Sequence, residues 1–159
     1  MTWLPQVVSA LIAIETGQSV ESAKGQVESG DGGKAHGLLQ IHQGVIDDVN
    51  RVCEVHFTLS DAQKPNRAQL ICLLYLTHWT NRARMKINRH NAAMVKVGLP
   101  TNEISNAELA ARIWNGGPDG WRRAATADYG QRVLNLIATE GTPATNAKTS
   151  EPIPKKGNP

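Results

Sequence analysis

Glu15 is the residue in this chain best placed to move a proton. It closes the apolar run Ala10-Leu-Ile-Ala-Ile, and Thr16-Gly17 follows at once. Val7, Val8, Leu11, Ile12 and Glu15 recur at three- and four-residue spacing, so the carboxyl lies on the apolar stripe of a helix, one turn beyond Leu11. Gly17 stops that helix and leaves Glu15 in its last turn. Partial burial disfavours the ionised carboxylate, and so does the negative end of a helix dipole. A carboxyl kept neutral in this way is a general acid. From spacing alone, a solvated glutamate at a helix end is the favoured reading, and the general acid the alternative.

The stretch that would face this acid is Gly30-Asp-Gly-Gly-Lys-Ala-His-Gly-Leu-Leu-Gln-Ile41. Its glycines let the backbone come close to a ligand. Asp31, set among them, is a second carboxylate or a turn residue bonding its own backbone, with the turn favoured. The GxxxxGK[ST] spacing of a phosphate loop is absent. Gly37 to Ile41 reads as a short strand or the start of a buried helix.

The remaining elements must hold these two stretches together. Leu4 to Thr16 forms the first helix, with Pro5 in its first turn, where a missing N–H costs little. Val45 to Val55 forms another, with Val45, Ile46, Val49, Val52 and Cys53 on one face and Asp47 and Asp48 in its first turn. Ser60-Asp-Ala-Gln63 has the pattern of a capping box. Pro65 opens the longest helix, roughly Asn66 to Ile87. Ala68, Ile71, Leu74, Tyr75, His78 and Trp79 share one face of it, and Leu70, Leu73 and Leu76 broaden that face, as in a helix buried on much of its circumference. Tyr75, His78 and Trp79 fit a cleft, but core packing with polar tips is the favoured reading. Arg82, Arg84, Lys86 and Arg89 form a solvated surface, and His90 to Asn102 a connection. Ser105-Asn-Ala-Glu108 opens a helix through Trp114 that Asn115-Gly-Gly-Pro118 ends. Thr126 caps a last helix, Ala127 to Thr139, with Val133, Leu136 and Ile137 inward. Thr142 to Pro159 has almost no apolar content. Residues 1–140 are therefore expected to fold, and residues 141–159 to form a disordered tail.

At 159 residues the chain is one domain, long enough to bury a core, with 40% hydrophobic and 19% charged residues. A net charge of +3 suits an anionic polymer such as a cell wall. No helix carries a dense Lys/Arg face with base-reading residues, so nucleic acid is not an expected partner. Cys53 and Cys72 lie in no CxxC pair; two small buried hydrophobes are favoured over a single disulfide. No apolar run approaches ~18 residues, so no membrane span is expected. Met1 to Ile14 lacks a basic n-region and an A-x-A site, and cleavage there would remove the helix bearing Glu15, so no cleavable signal is expected.

Glu15-Thr-Gly17, Gly37-Leu-Leu-Gln-Ile41, the helix with Tyr75-Leu-Thr-His-Trp79, Trp114-Asn-Gly-Gly-Pro118 and Tyr129 occur in one order over residues 4 to 138. That order resembles the lysozyme-like superfamily, and within it the soluble lytic transglycosylase domain. Members of that family carry an E-S-G motif ending a helix, then G-x-x-Q-I, a helix with Y-L, an A-Y-N-x-G motif and a late tyrosine. The resemblance implies a mainly α, lysozyme-like domain with minimal β structure and a substrate cleft. It makes Glu15 the catalytic acid and base. Thr16, Gly37, Leu39, Gln40, Trp114, Asn115 and Tyr129 become substrate-binding or acid-supporting residues, with Tyr129 hydrogen-bonded near the Glu15 carboxylate. Thr16 replaces the family's serine and keeps its hydroxyl. Trp114 replaces a tyrosine and keeps an aromatic surface.

The implied activity is cleavage of peptidoglycan at the MurNAc-β-1,4-GlcNAc bond, with no cofactor and no metal. Two-carboxylate glycosidases place a second Asp or Glu across the scissile bond. Animal-type lysozymes carry that aspartate two residues before the glycine of their G-x-L-Q-I motif, where this chain has Ala35. The resemblance therefore favours a single-glutamate lytic transglycosylase over a hydrolytic muramidase using Asp31. A non-catalytic cell-wall-binding or structural phage protein is the alternative of another class. The implied partner is the glycan strand, met at the bacterial wall in the periplasm. The chain would act there as a monomer or inside a larger phage or secretion assembly.

Overall fold

The longest helix is the axis of the structure. Along it Ala68, Ile71, Cys72, Tyr75, Leu76, Thr80, Ala83 and Ile87 are buried, a three- and four-residue repeat that turns one stripe of the helix into the core. The computed structural model describes residues 3–17 and 30–140. Among these the chain runs α1 (Trp3–Thr16), α2 (Gln43–Cys53), α3 (Leu59–Ala62), α4 (Pro65–Lys96), α5 (Asn106–Gly116) and α6 (Ala127–Glu140). Single 3-10 turns occur at Asp31–Gly33, Gly120–Arg122 and Ala124–Thr126. The architecture is mainly helical and one domain, as the sequence implies. The tail expected over residues 141–159 lies outside the described residues. No helix among the described residues is long and apolar enough to cross a membrane.

α1 buries Leu4, Val7, Val8, Ala10, Leu11 and Ile12 and packs on α4, α5 and α6. Each fully buried Leu or Ile contributes about 1.5–3 kcal/mol. α5 lies against both α4 and α6. It inserts Leu109, Ala110, Ala111 and Ile113, all without exposed surface, and its two alanines let the neighbouring helices approach closely. Cys53 and Cys72 are free thiols, Cys72 buried in the core and Cys53 half-buried.

Several boundaries differ from the sequence expectation. α4 continues to Lys96 rather than ending near Ile87, because nothing between Asn88 and Lys96 breaks a helix and the first breaker is Gly98, at φ 68°. This last part of α4 is mostly solvent-facing, so it carries no apolar period to read. The connection then folds back: Asn91 Nδ2 donates to the Asn102 carbonyl at 2.8 Å, and Asn102 N–H donates to Asn91 Oδ1 at 2.9 Å. Arg84, read as solvated, reaches the Ile104 carbonyl at 2.7 Å and Asn106 Oδ1 at 2.7 Å. α4 is also less enclosed than expected, with Leu70 40% exposed.

The cap of α3 is Thr58, not Ser60: the Asp61 carboxylate accepts from the Thr58 N–H at 3.0 Å and its hydroxyl at 3.1 Å. α2 begins two residues early, at Gln43, which moves Asp47 and Asp48 out of its first turn. There Asp47 accepts from Gln43 at 2.8 Å and Asp48 pairs with Arg51 at 2.6 Å. β pairing among the described residues consists of two isolated antiparallel bridges, Gly30 with Ala35 and His36 with Ile41.

Candidate active site

Two back-to-back turns build one wall of the site. In the first, Gly30 and Ala35 exchange both backbone hydrogen bonds, at 3.0 and 3.1 Å. In the second, His36 and Ile41 do the same at 3.1 and 2.9 Å. The segment read as a strand or helix start is therefore a tight turn. Gly37 has φ 68° and sits so close to the Ala62 carbonyl that a β-carbon would collide with it. Gln40 closes the turn at φ 47°, a left-handed conformation uncommon for a residue with a side chain. Its carboxamide Nε2 donates to the Gly37 carbonyl at 3.0 Å, and Oε1 lies where a β-carbon on residue 30 would be. The spacing from Gly37 to Gln40 thus has a mechanical reason. The glycine turns the chain, and the glutamine bonds back to it.

The opposite wall is the end of α1. Gly17, at φ 67°, closes the helix by donating its N–H to the Ala13 carbonyl at 2.9 Å. Glu15, half-buried, stands in the last turn. Tyr129 of α6 donates its phenol O–H to Glu15 Oε1 at 2.6 Å. Burial, then the neighbouring Glu15 charge and this hydrogen bond, push the Tyr129 phenol far above its usual range. Tyr129 therefore stays protonated and is a donor at any working pH.

Arg112 ties α5 to the loop that leads into α6. It donates to Glu108 Oε1 at 3.2 Å, to Thr126 Oγ1 at 3.2 Å and to the Arg123 carbonyl at 2.9 Å. The buried Thr126 hydroxyl lies 2.7 Å from the Gly120 carbonyl and 2.8 Å from that of Arg123. The sequence places Thr126 as the cap of the last helix; its hydroxyl instead points back into this loop. The network joins the end of α5, which carries Trp114 and Asn115, to the start of α6, which carries Tyr129. Trp114 is backed by Tyr75, whose ring meets it edge-on at 5.9 Å and 85°.

Glu15, Gln40, His42, Val45, Trp114 and Asn115 line one pocket of about 170 Å³. Four of these residues, Glu15, Gln40, Trp114 and Asn115, are ones the sequence picks out, and Tyr129 is bonded to the first. They come from the end of α1, the His36–Ile41 turn and the end of α5. The pocket combines a carboxyl, two carboxamides, an imidazole and an indole, a set able to give or take a proton while hydrogen-bonding and stacking on a polar ring. A larger concavity, about 410 Å³, lies between the end of α1 and α6, but it contains no carboxyl group. The smaller pocket is the better candidate because Glu15 lines it.

His42 was not among the residues expected from sequence. It directly follows Ile41 and is the N-cap residue of α2, so the turn that positions Gln40 also delivers His42. The one available signal was its place beside the motif. Gly37 and Leu39 do not line the pocket. Leu39 has no exposed surface and anchors the turn in the core. Thr16 donates to the Ile12 carbonyl of its own helix at 2.7 Å and is not a pocket residue either. Asp31 is exposed in the 3-10 turn at φ 50° and does not line the pocket, in keeping with the turn reading. Among the described residues no three His, Cys, Asp or Glu side chains cluster as metal ligands would. In comparisons with known proteins, the chain matches no family model, no curated protein and no solved structure.

Proposed function

We propose that this protein is a lysozyme-like enzyme of the lytic transglycosylase kind, cleaving the MurNAc-β-1,4-GlcNAc bond of peptidoglycan. The observation that carries the reading is the Tyr129–Glu15 hydrogen bond beside a pocket shared by Glu15, Gln40, Trp114 and Asn115. Residues distant in sequence, picked out by one family resemblance, converge on one carboxyl group.

In the proposed reaction Glu15 gives its proton to the bridging oxygen, and the bond from that oxygen to the anomeric carbon breaks. The N-acetyl carbonyl oxygen of the same MurNAc closes on the anomeric carbon. Glu15, now a carboxylate, takes the proton of the 6-hydroxyl, whose oxygen displaces the acetamido oxygen. A 1,6-anhydro end forms, Glu15 regains its proton, and no water is consumed. Proton transfer by a placed side chain accounts for about 10²- to 10⁴-fold of rate. Tyr129 occupies Oε1 and leaves Oε2 to carry the proton. Gln40 and Asn115 supply hydrogen bonds to the sugar, and Trp114 a stacking face.

The test is product analysis. The protein is incubated with purified peptidoglycan and the soluble fragments are weighed by mass spectrometry. Anhydro ends support the proposal. Reducing ends identify a hydrolase instead, and Asp31 would then have to be reconsidered as the base. Sedimentation with the wall and no fragment release identifies a binding module.

A further inference from the structure

A second concavity, about 220 Å³, opens between the C-terminal half of α4 and the 3-10 turn Gly120–Arg122. Lys86, Ile87 and His90 of α4 line it, with Asn102, Trp121 and Arg122. It shares no residue with the Glu15 pocket. The Lys86 ammonium and the Arg122 guanidinium bring positive charge, and the His90 and Asn102 side chains bring further N–H donors. The Arg122 guanidinium lies over the Trp121 ring at 5.0 Å, which holds it in place. The Trp121 Nε1–H is buried and has no acceptor among the described residues.

We propose that this concavity binds a phosphate group. The pocket is rich in donors and poor in acceptors. Asp119 is 57% exposed and pairs with Lys86 at 3.4 Å, and among the described residues no carboxylate pairs with Arg122. The donors number more than the two oxygens of a carboxylate readily serve, whereas a phosphate presents three or four acceptor oxygens and more charge. An ammonium and a guanidinium are also the two side chains that recognise phosphate, one as a point charge and one as a fork. Two sources carry that chemistry: free inorganic phosphate, and a phosphodiester of a polyol chain. The inference stands on this pocket alone and does not depend on the reading of Glu15.

The experiment follows the indole N–H resonances of the full chain by ¹H–¹⁵N NMR. The chain has four tryptophans, and the Trp121 signal is assigned with Trp121→Phe. Inorganic phosphate is titrated at constant ionic strength, then a glycerol-phosphate oligomer. The expected result is a saturable shift of the Trp121 N–H as the ligand settles on the Arg122 guanidinium stacked over that ring. Lys86→Gln and Arg122→Gln should each weaken binding about fivefold, and Asp119→Asn should tighten it by a similar factor. These side chains are exposed, so the variants should fold. An oligomer that binds more tightly than phosphate identifies a phosphodiester chain as the ligand; equal or weaker binding identifies the free ion. A Trp121 signal that saturates with neither probe, or a binding curve that none of the three charge variants moves, overturns the proposal.

Discussion

Tyr129 and Glu15 are 114 residues apart in sequence and joined by a 2.6 Å hydrogen bond in the fold. The donor is the phenol and the acceptor is Glu15 Oε1. Tyr129 keeps its proton, so it acts on the carboxyl group as a hydrogen-bond donor. Because α1 carries the acceptor and α6 the donor, the geometry of the acid depends on how these two helices pack, and that packing is shared with α5.

Removing the phenol tests this relationship. Tyr129→Phe deletes the donor and keeps the ring that packs against the core. A hydrogen bond to a charged group is worth about 1.5–3 kcal/mol, so turnover on peptidoglycan should fall about 10- to 100-fold, with a smaller change in apparent KM. Initial rates of fragment release measure it. Turnover within twofold of the parent chain would mean that Tyr129 does not position the acid.

Glu15→Gln asks a different question. The amide keeps the shape and its oxygen still accepts from Tyr129, but it cannot donate a proton to a bridging oxygen. Fragment release should drop at least 100-fold, the lower end of what a general acid contributes, while the circular-dichroism spectrum and thermal midpoint stay close to those of the parent. Near-normal release would remove Glu15 from the chemistry. Loss of folding together with activity would instead make Glu15 a structural residue.

Much of this arrangement is legible in the sequence, and the reasons are physical. α1 and the buried part of α4 have strong apolar periods, since a helix facing a core must repeat every three or four residues. The end of α1 is marked by Gly17, and the start of α5 by Ser105, whose hydroxyl accepts from the Glu108 N–H at 3.1 Å. The solvent-facing stretch of α4 up to Lys96 has no such period and reads as a connection. The turn at Gly37 to Gln40 is hidden for another reason. Leu38, Leu39 and Ile41 are all buried, so the run looks like a strand, and the left-handed residue that closes the turn after Gly37 is a glutamine. His42 escapes because its position depends on that turn.

Asp61 gives a pH dependence with a definite sign. Its carboxyl is held below the ordinary value of 3.8, first by the hydrogen bond from the Thr58 N–H and then by Lys64, 3.2 Å away. A carboxyl lowered on folding stabilises the protein above its unfolded value, and that contribution is lost as pH falls through the lower, folded value. Urea midpoints measured from neutral pH down to the acid limb should therefore fall less steeply at the acid end for Asp61→Asn, which should also be less stable at neutral pH. Parallel curves for the two proteins would show that the cap at Thr58 contributes nothing through charge.

The His36–Ile41 turn offers the sharpest separation of stability from activity. Gln40→Gly relieves a left-handed conformation that costs about 1–3 kcal/mol in a residue with a side chain, but it gives up the bond to the Gly37 carbonyl, worth about 1 kcal/mol. The two effects oppose, so stability should change by no more than about 2 kcal/mol. The carboxamide in the Glu15 pocket is lost, and turnover should fall tenfold or more, the scale on which misplaced substrate slows an enzyme. Gly37→Ala acts the other way round. It adds a β-carbon that meets the Ala62 carbonyl at a backbone angle suited to glycine, and it should lower stability by about 1–3 kcal/mol, with a matching drop in thermal midpoint. Thermal melts and fragment-release rates on the two variants check both halves. A Gln40→Gly protein with full activity would place Gln40 in the turn's architecture and outside the site.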